Sequence, residues 1–212
     1  TGTASNGCTS PASVNLTAIA MPNINFSGNN TICTGQSTTL TANGGSSYQW
    51  GDGNTSASIT VAPTVTATYA VTASNVQGCT ATRSITVVVN SLPSVSITGN
   101  TSICTGETAT LSVTGGQSYI WSNSSTAKDI TVTAAGTYRV TATDINGCSN
   151  TASILVAVYA LPTIRINGRQ EFCQGSTNTL TATGASTYEW NSGETTSSIT
   201  TGIIGTYTVT GT

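Results

Sequence analysis

The six cysteines are the residues of this 212-residue chain whose type and spacing point most directly to chemistry. A cysteine can form a disulfide, ligate a metal or act as a nucleophile. The chain has no histidine and no Cys-x-x-Cys pair, so neither a zinc site nor a Ser-His-Asp triad is expected. Regularly spaced cysteines in a Thr- and Ser-rich chain favour disulfides formed in an oxidising, extracytoplasmic compartment. Their positions are Cys8, Cys33, Cys79, Cys104, Cys148 and Cys173.

The charge of the chain argues against two classes of partner. Charged residues are only 6% of the sequence, the net charge is −2, and the five basic residues are scattered. Nucleic acids and anionic membrane surfaces are bound by clustered Lys and Arg, so neither is an expected partner. No apolar run is long enough to insert into a membrane. The carboxylates occupy no common repeat position, so we predict no catalytic residue, no cofactor and no metal site.

The cysteines belong to a sequence repeat with a period of about 70 residues. Residues 22–50, 93–121 and 162–190 align without a gap, each with a leading proline, a cysteine, a leucine and a Tyr-x-Trp sequence. Each repeat continues with a tyrosine that opens an alternating run, and the first two runs end in Gly-Cys. The shared residues expected in the hydrophobic core are Leu40, Leu111, Leu180, Trp50, Trp121, Trp190, Tyr69, Tyr138 and Tyr207.

Each repeat consists of six or seven short alternating segments separated by Gly, Asn and Ser turns. With a central Trp, this pattern predicts a small β-sandwich, in which the Trp packs in the core rather than serving as a glycan-stacking platform. The predicted fold class is all-β, with tandem immunoglobulin-like β-sandwich domains arranged as an extended array. The predicted segments are a terminal strand from a preceding or neighbouring-copy repeat (1–21), repeat 1 (22–91), repeat 2 (92–161) and repeat 3, which lacks its last strand (162–212).

The motif C-x-G-x-x-x-x-L-x-x-x-G, followed by Y-x-W, S-I, G-T-Y-x-V and N-G-C, resembles the immunoglobulin-like (PKD-like) repeats of giant bacterial surface adhesins. The type IX-secreted adhesins of gliding motility belong to this family, and the resemblance covers the whole chain. It implies an extracellular cell-surface protein. Repeat 1 departs from the motif in lacking a glycine before Tyr69 and in having Val-Gln-Gly-Cys before its next strand.

The two ends of the chain match one another in the repeat register. Overlaying Thr-Gly-Thr at 1–3 on the same residues at 210–212 places Cys8 where repeat 3 should have its second cysteine. The residues after Cys8 then correspond to the missing last strand. One reading is that the chain is a window of a longer array. The other is a subunit whose N-terminal strand completes the open repeat of another copy, giving head-to-tail association.

The preferred disulfide pairing is within repeats, Cys33 with Cys79 and Cys104 with Cys148. Cys8 and Cys173 would then pair across repeats or copies. An immunoglobulin topology, however, places the A–B and F–G loops at opposite ends, and a disulfide requires Cα atoms within about 7 Å. A link between adjacent repeats, such as Cys33 to Cys148, therefore stays open as an alternative.

These features predict a non-catalytic structural or adhesive segment of an extracellular cell-surface filament or stalk. The expected partner is the protein itself, head to tail, either as further repeats of one chain or as another copy. Surface glycans are a second expected partner class. One alternative is a glycan-binding module string of a secreted multidomain protein, which would need a line of exposed aromatic residues. The other is an immunoglobulin-like decoration of a phage or virion, against which the cysteines count.

Overall fold

The computed structural model describes residues 2–212, whose regular structure is entirely β-strand. No helix in this range is long and apolar enough to cross a membrane. The chain folds as two compact units, and repeat 2 contributes to both. One unit holds the chain up to Val95 with Gly115–Tyr119 and Thr141–Thr151, and the other holds Ser96–Thr114, Ile120–Val140 and Ala152–Thr212.

The N-terminal segment forms a short hairpin of β1 (Gly2–Thr3) and β2 (Thr9–Ser10). In this hairpin Gly2 pairs with Ser10 and Thr3 with Thr9. The backbone N–H of Ala4 donates to the carbonyl of Cys8 at 2.9 Å, which closes the turn. Residues 11–21 follow in no strand and are exposed.

Repeat 1 is a sandwich of a three-stranded and a four-stranded sheet. Its strands are β3 (Asn25–Ser27), β4 (Thr31–Cys33), β5 (Thr38–Asn43), β6 (Ser47–Trp50), β7 (Ser58–Val61), β8 (Ala67–Ser74) and β9 (Thr80–Asn90). The sheet orders are β3-β5-β7 and β4-β9-β8-β6, with only β4 and β9 parallel among these neighbours. These are the A-B-E and A′-G-F-C arrangements of an immunoglobulin-like sandwich, so the predicted all-β sandwich fold is confirmed. Below, β4, β8 and β9 and their equivalents are called the A′, F and G strands.

The core of repeat 1 lies between the two sheets because its strands alternate apolar and polar residues. In β5, Leu40 and Ala42 are buried, whereas Thr39, which precedes Leu40 and points to the other face, is exposed. Trp50 is 2% exposed, and its Nε1 donates to the carbonyl of Ser56 at 2.9 Å, so the buried indole keeps a hydrogen-bond partner. The G strand closes the core with Val87, which is 0% exposed.

One glycine of the repeat motif is required by backbone crowding at the end of strand B. It is Gly44 in repeat 1, Gly115 in repeat 2 and Gly184 in repeat 3, with φ of +99°, +83° and +101°. A Cβ at each position would collide with the carbonyl of the chain entering the same repeat, at Asn23, Ser94 or Thr163. The glycine therefore lets the first strand of each sandwich approach strand B.

Repeat 2 has the same seven strands. They are β10 (Ser96–Gly99), β11 (Ser102–Cys104), β12 (Ala109–Thr114), β13 (Ser118–Trp121), β14 (Asp129–Val132), β15 (Gly136–Thr143) and β16 (Ser149–Tyr159). The sheet orders are β10-β12-β14 and β11-β16-β15-β13. Leu111, Val140 and the G-strand residue Val156 are almost fully buried, as are their counterparts in repeat 1.

Repeat 3 has an incomplete second sheet. Its strands are β17 (Arg165–Asn167), β18 (Asn178–Thr183), β19 (Tyr188–Trp190), β20 (Ser198–Thr201) and β21 (Val209–Gly211). The sheets are β17-β18-β20 and the pair β19-β21. The A′ segment at 171–173 is not a strand, because the only partner of A′ in the other repeats is the G strand.

The predicted core residues are buried to different degrees. Trp50, Trp121 and Trp190 are each at most 2% exposed. Leu40 and Leu111 are fully buried, whereas Leu180 in repeat 3 is only partly buried. The predicted core tyrosines lie at the core edge, half-buried, where hydroxyls can reach backbone carbonyls. The hydroxyl of Tyr138 donates to Ala134, and that of Tyr207 to Ile203, with Tyr69 similarly half-buried.

Leu40→Ala and Leu180→Ala form a matched pair that tests whether repeat 3 is open. In the monomer, Leu40→Ala should lower the free energy of unfolding of repeat 1 by about 2–5 kcal/mol, because it leaves a cavity in a closed core. Leu180→Ala should cost clearly less in repeat 3, since the side chain already contacts solvent. Native-state hydrogen exchange of peptides from β8 and β21 measures the two effects separately. Equal losses would contradict the open core.

Candidate functional site

The disulfide of the structure joins repeat 1 to repeat 2, from Cys33 to Cys148. The two Cα atoms lie 5.6 Å apart, although 115 positions separate the residues in sequence. Cys33 ends the A′ strand of repeat 1, and Cys148 lies in the turn between the F and G strands of repeat 2. Both are buried, at 8% and 0% exposure. The bond therefore connects opposite ends of two consecutive sandwiches.

The position of Cys148 is fixed by an Asx turn. The Asp144 side chain accepts hydrogen bonds from the backbone N–H groups of Asn146 and Cys148, each at 2.9 Å. Gly147 follows with φ +78°, a conformation that favours glycine. Asn75 makes the equivalent turn in repeat 1 and places Cys79 in the same way. The local sequence thus delivers a cysteine to the same end of each complete sandwich.

The predicted within-repeat pairs, Cys33–Cys79 and Cys104–Cys148, are wrong in this structure. Cys33 lies opposite Asn90 at the end of the G strand, whereas Cys79 precedes the first residue of that strand. Eleven residues at about 3.3 Å each separate the two cysteines by roughly 35 Å, far beyond the reach of a disulfide. Repeat 2 repeats this geometry, because Cys104 lies opposite Tyr159 at the end of its G strand.

The other four cysteines are free thiols in the structure. Cys8 and Cys173 are exposed, and Cys79 and Cys104 are partly exposed. Cys8 lies in the turn of the β1–β2 hairpin and Cys79 in the F–G turn of repeat 1, whereas Cys104 and Cys173 end A′ segments. The predicted cross-repeat or cross-copy pairing of Cys8 and Cys173 stays a prediction.

A groove marks the open side of repeat 3. It has a volume of about 630 Å³ and is lined by both polar and apolar residues. In repeats 1 and 2 the G strand contributes a buried core residue, Val87 or Val156, which repeat 3 does not have among the described residues. The apolar and aromatic residues lining the groove are Ile166, Phe172, Leu180, Ile203, Ile204 and Tyr207.

The segment after the N-terminal hairpin has the pattern of a G strand. The β1–β2 register, Gly2 with Ser10 and Thr3 with Thr9, equals the F–G register of repeat 1, Ala73 with Ala81 and Ser74 with Thr80. This register places Leu16 at the position of the buried Val87. Leu16 is 91% exposed and Val14 is 81% exposed, so the segment presents an apolar face that no part of the described chain covers.

Acidic side chains in the structure accept hydrogen bonds within turns. Among residues 2–212, no group of three or more His, Cys, Asp or Glu side chains is placed to hold a metal ion. Asp52 in the Gly-Asp-Gly-Asn turn accepts a hydrogen bond from the backbone N–H of Asn54 at 2.9 Å. A hydrogen bond with the Ser192 side chain lowers the pKa of the exposed Glu194.

No family model matches the chain, and no curated protein matches it. Its similarity to solved structures is distant. The N-terminal eight immunoglobulin domains of Down Syndrome Cell Adhesion Molecule are 17% identical, with 80% of this chain and 34% of that chain covered and a TM-score of 0.36. A Ca²⁺-stabilised, ice-binding adhesin of an Antarctic bacterium is 17% identical, with 82% and 64% covered and a TM-score of 0.35. Murine CEACAM1b is 12% identical, with 65% and 100% covered and a TM-score of 0.33. At these values the likeness assigns neither a family nor a function to the chain.

Cys33→Ser should destabilise the chain, whereas Cys8→Ser should not. Removing a cross-link that closes a loop of this length costs about 2–5 kcal/mol, largely through the gain in unfolded-chain entropy. Urea denaturation of both variants, with the remaining free thiols alkylated, measures the difference. Non-reducing peptide mapping of the unmodified monomer should show the Cys33–Cys148 peptide. A Cys33–Cys79 peptide, or equal stability of the two variants, would contradict the cross-repeat link.

Proposed function

We propose that the chain is a non-catalytic structural and adhesive repeat segment of an extracellular cell-surface filament or stalk. The observation that carries this proposal is the disulfide between Cys33 of repeat 1 and Cys148 of repeat 2. A bond inside one sandwich would stabilise that sandwich alone. A bond between consecutive sandwiches adds a second covalent connection beside the peptide linker, which is useful to a protein that transmits tension.

The outer faces of the sheets are polar through hydroxyl groups rather than through charged groups, which suits a surface exposed to water. Thr39 and Thr60 pair through their hydroxyls at 2.9 Å, as do Thr68 and Thr86 at 2.9 Å. Such cross-strand Thr pairs stabilise a sheet by a few tenths of a kcal/mol to about 1 kcal/mol each. The resulting surface is rich in hydroxyl groups, and it is on this surface that we place the contacts with surface glycans.

Head-to-tail association of copies is the second part of the proposal. The open groove of repeat 3 lacks a G strand, and the exposed segment 9–20 has the length and alternation of one. Insertion beside β21 would pair backbone groups and cover Leu180 and Phe172 with Leu16, an example of β-strand addition. Because the donor and acceptor surfaces differ, repetition of the contact produces an open filament unless the rotation closes a ring.

The setting that we propose is the outer surface of a bacterium. The repeat motif resembles that of type IX-secreted adhesins of gliding motility, and disulfides persist in oxidising compartments outside the cytoplasm. In such a setting the chain would act as a spacer or as the adhesive surface itself.

Leu16→Asp and Thr17→Asp test the association with one charge placed on either face of the donor segment. Leu16 corresponds to buried Val87 and Thr17 to exposed Val88. Leu16→Asp should abolish concentration-dependent assembly, because a carboxylate would enter an apolar core without a partner. Thr17→Asp should assemble like the unmodified chain.

Light scattering coupled to size-exclusion chromatography, with electron microscopy of the same fractions, measures this assembly. An unmodified chain that stays monomeric at high concentration would refute strand exchange between copies. Assembly of Leu16→Asp at the unmodified level would refute the proposed register.

A further inference from the structure

The Cys33–Cys148 bond joins a cysteine of one repeat to a differently placed cysteine of the next repeat. This shift by one repeat is called the offset below. The first cysteine ends an A′ strand, and it bonds the F–G turn cysteine of the following repeat. Cys104 and Cys173 are first cysteines, and Cys8 and Cys79 are F–G turn cysteines. Under this offset none of the four free thiols finds its partner among residues 2–212.

We infer that successive copies of the chain are joined by two intermolecular disulfides, Cys104 to Cys8 of the next copy and Cys173 to Cys79 of the next copy. This inference rests on the proposed head-to-tail association. It goes beyond that association because strand insertion alone fixes no covalent bond.

The first bond follows from the register of the donor segment. In repeat 2 the turn cysteine comes five residues after Thr143, the counterpart of Thr212 in repeat 3. Cys8 of the next copy likewise comes five residues after Thr3 of that copy, and Thr3 corresponds to Thr143 and Thr212 in the repeat register. When segment 9–20 of that copy becomes the G strand of repeat 3, its Cys8 occupies the F–G turn of repeat 3. The offset then pairs it with Cys104 of repeat 2.

The second bond follows from the next step along the array. Repeat 1 of the incoming copy directly follows the completed repeat 3, so its turn cysteine, Cys79, faces the A′ end of repeat 3. The thiol at that end is Cys173. Its segment at 171–173 becomes an A′ strand once a G strand is present to pair with it, as β4 and β11 do. That pairing would bring Cys173 to the position held by Cys33 in repeat 1.

The exposure of the thiols agrees with missing partners. The bonded turn cysteine Cys148 is 0% exposed, whereas its counterpart Cys79 is partly exposed and its counterpart Cys8 is exposed. The bonded first cysteine Cys33 is 8% exposed, whereas its counterparts Cys104 and Cys173 are more exposed. The two bonded cysteines are thus buried, and the four free cysteines are exposed or partly exposed.

Each bond requires the oxidation of two thiols. A cysteine thiolate attacks a small-molecule disulfide such as glutathione disulfide, which forms a mixed disulfide and releases one glutathione. The thiolate of the second cysteine then attacks the protein sulfur of that mixed disulfide and releases the second glutathione. The two cysteines have together lost two electrons and two protons, and the two released glutathione thiols have gained them.

Isotope mixing identifies which bonds are intermolecular. Equal amounts of unlabelled and ¹⁵N-labelled reduced chain are mixed, oxidised with glutathione disulfide and digested with pepsin at acid pH, which suppresses thiol exchange. Mass spectrometry should find Cys33–Cys148 peptides only in unmixed isotope combinations. Cys8–Cys104 and Cys79–Cys173 peptides should include the light–heavy combination expected for random pairing between chains.

Sedimentation of the same mixture under reducing conditions separates this inference from the proposed function. Assembly that occurs when reduced, with Cys8–Cys173 or no mixed-isotope peptides after oxidation, would overturn the disulfide assignment and leave strand exchange standing. No assembly in either condition would overturn both.

Paired cysteine variants supply a second test on non-reducing gels. Cys104→Ser with Cys173→Ser should eliminate covalent oligomers, because both acceptor thiols are gone. Cys33→Ser with Cys148→Ser is the matched control and should retain the covalent ladder. Cys104→Ser alone should also retain it through Cys79–Cys173. A ladder that survives loss of both Cys104 and Cys173 would overturn the assignment.

Discussion

The G strand is the element on which each sandwich depends, because it is hydrogen-bonded on both sides and also closes the core. In repeat 1 it pairs with the F strand along its first eight residues and with the A′ strand at its far end, and it buries Val87. Repeat 3 shows the result of its absence. There the A′ segment is not a strand, Leu180 contacts solvent, and the second sheet consists of two strands. Repeat 3 has the motif residues of the other repeats as far as Tyr207, so we attribute the difference to the missing strand.

The same strand determines the disulfide. Because the G strand is parallel to A′ and eleven residues long, it holds the two cysteines of a repeat at opposite ends of the sandwich. A bond within a repeat is therefore excluded by length alone, and each cysteine can reach only an adjacent repeat. The linkage that looks irregular in sequence, with 115 positions between its ends, joins two cysteines whose Cα atoms lie 5.6 Å apart in the fold.

The periodic features were predictable because they depend on local physics. Alternation in segments such as Thr38–Asn43 predicted the strands, and a Trp at constant spacing predicted the centre of each sandwich. The disulfide was predicted only as the alternative to the preferred within-repeat pairing, because pairing depends on which strand ends meet in space, and a period of residues carries no such information. The parallel A′–G register, which places Cys33 opposite Asn90, was the missing fact. The open core of repeat 3 was foreseeable from its missing last strand, whereas the partial exposure of the tyrosines was not, since alternation alone does not separate the core from its edge.

The offset linkage has a mechanical consequence that a within-repeat bond would not have. From an F–G turn cysteine the chain runs through a G strand, a short linker and the next repeat's first strands, and reaches that repeat's first cysteine 25 residues later. The spacing is the same from Cys8 to Cys33, from Cys79 to Cys104 and from Cys148 to Cys173. With every cysteine bonded, these 25-residue segments join end to end into two continuous covalent paths that alternate between repeats. The residues between the first cysteine and the turn cysteine of each repeat, which include strands B to F, lie outside both paths. Tension would then act on backbone that is already largely extended, and a sandwich that loses its core would add little length to the proposed filament.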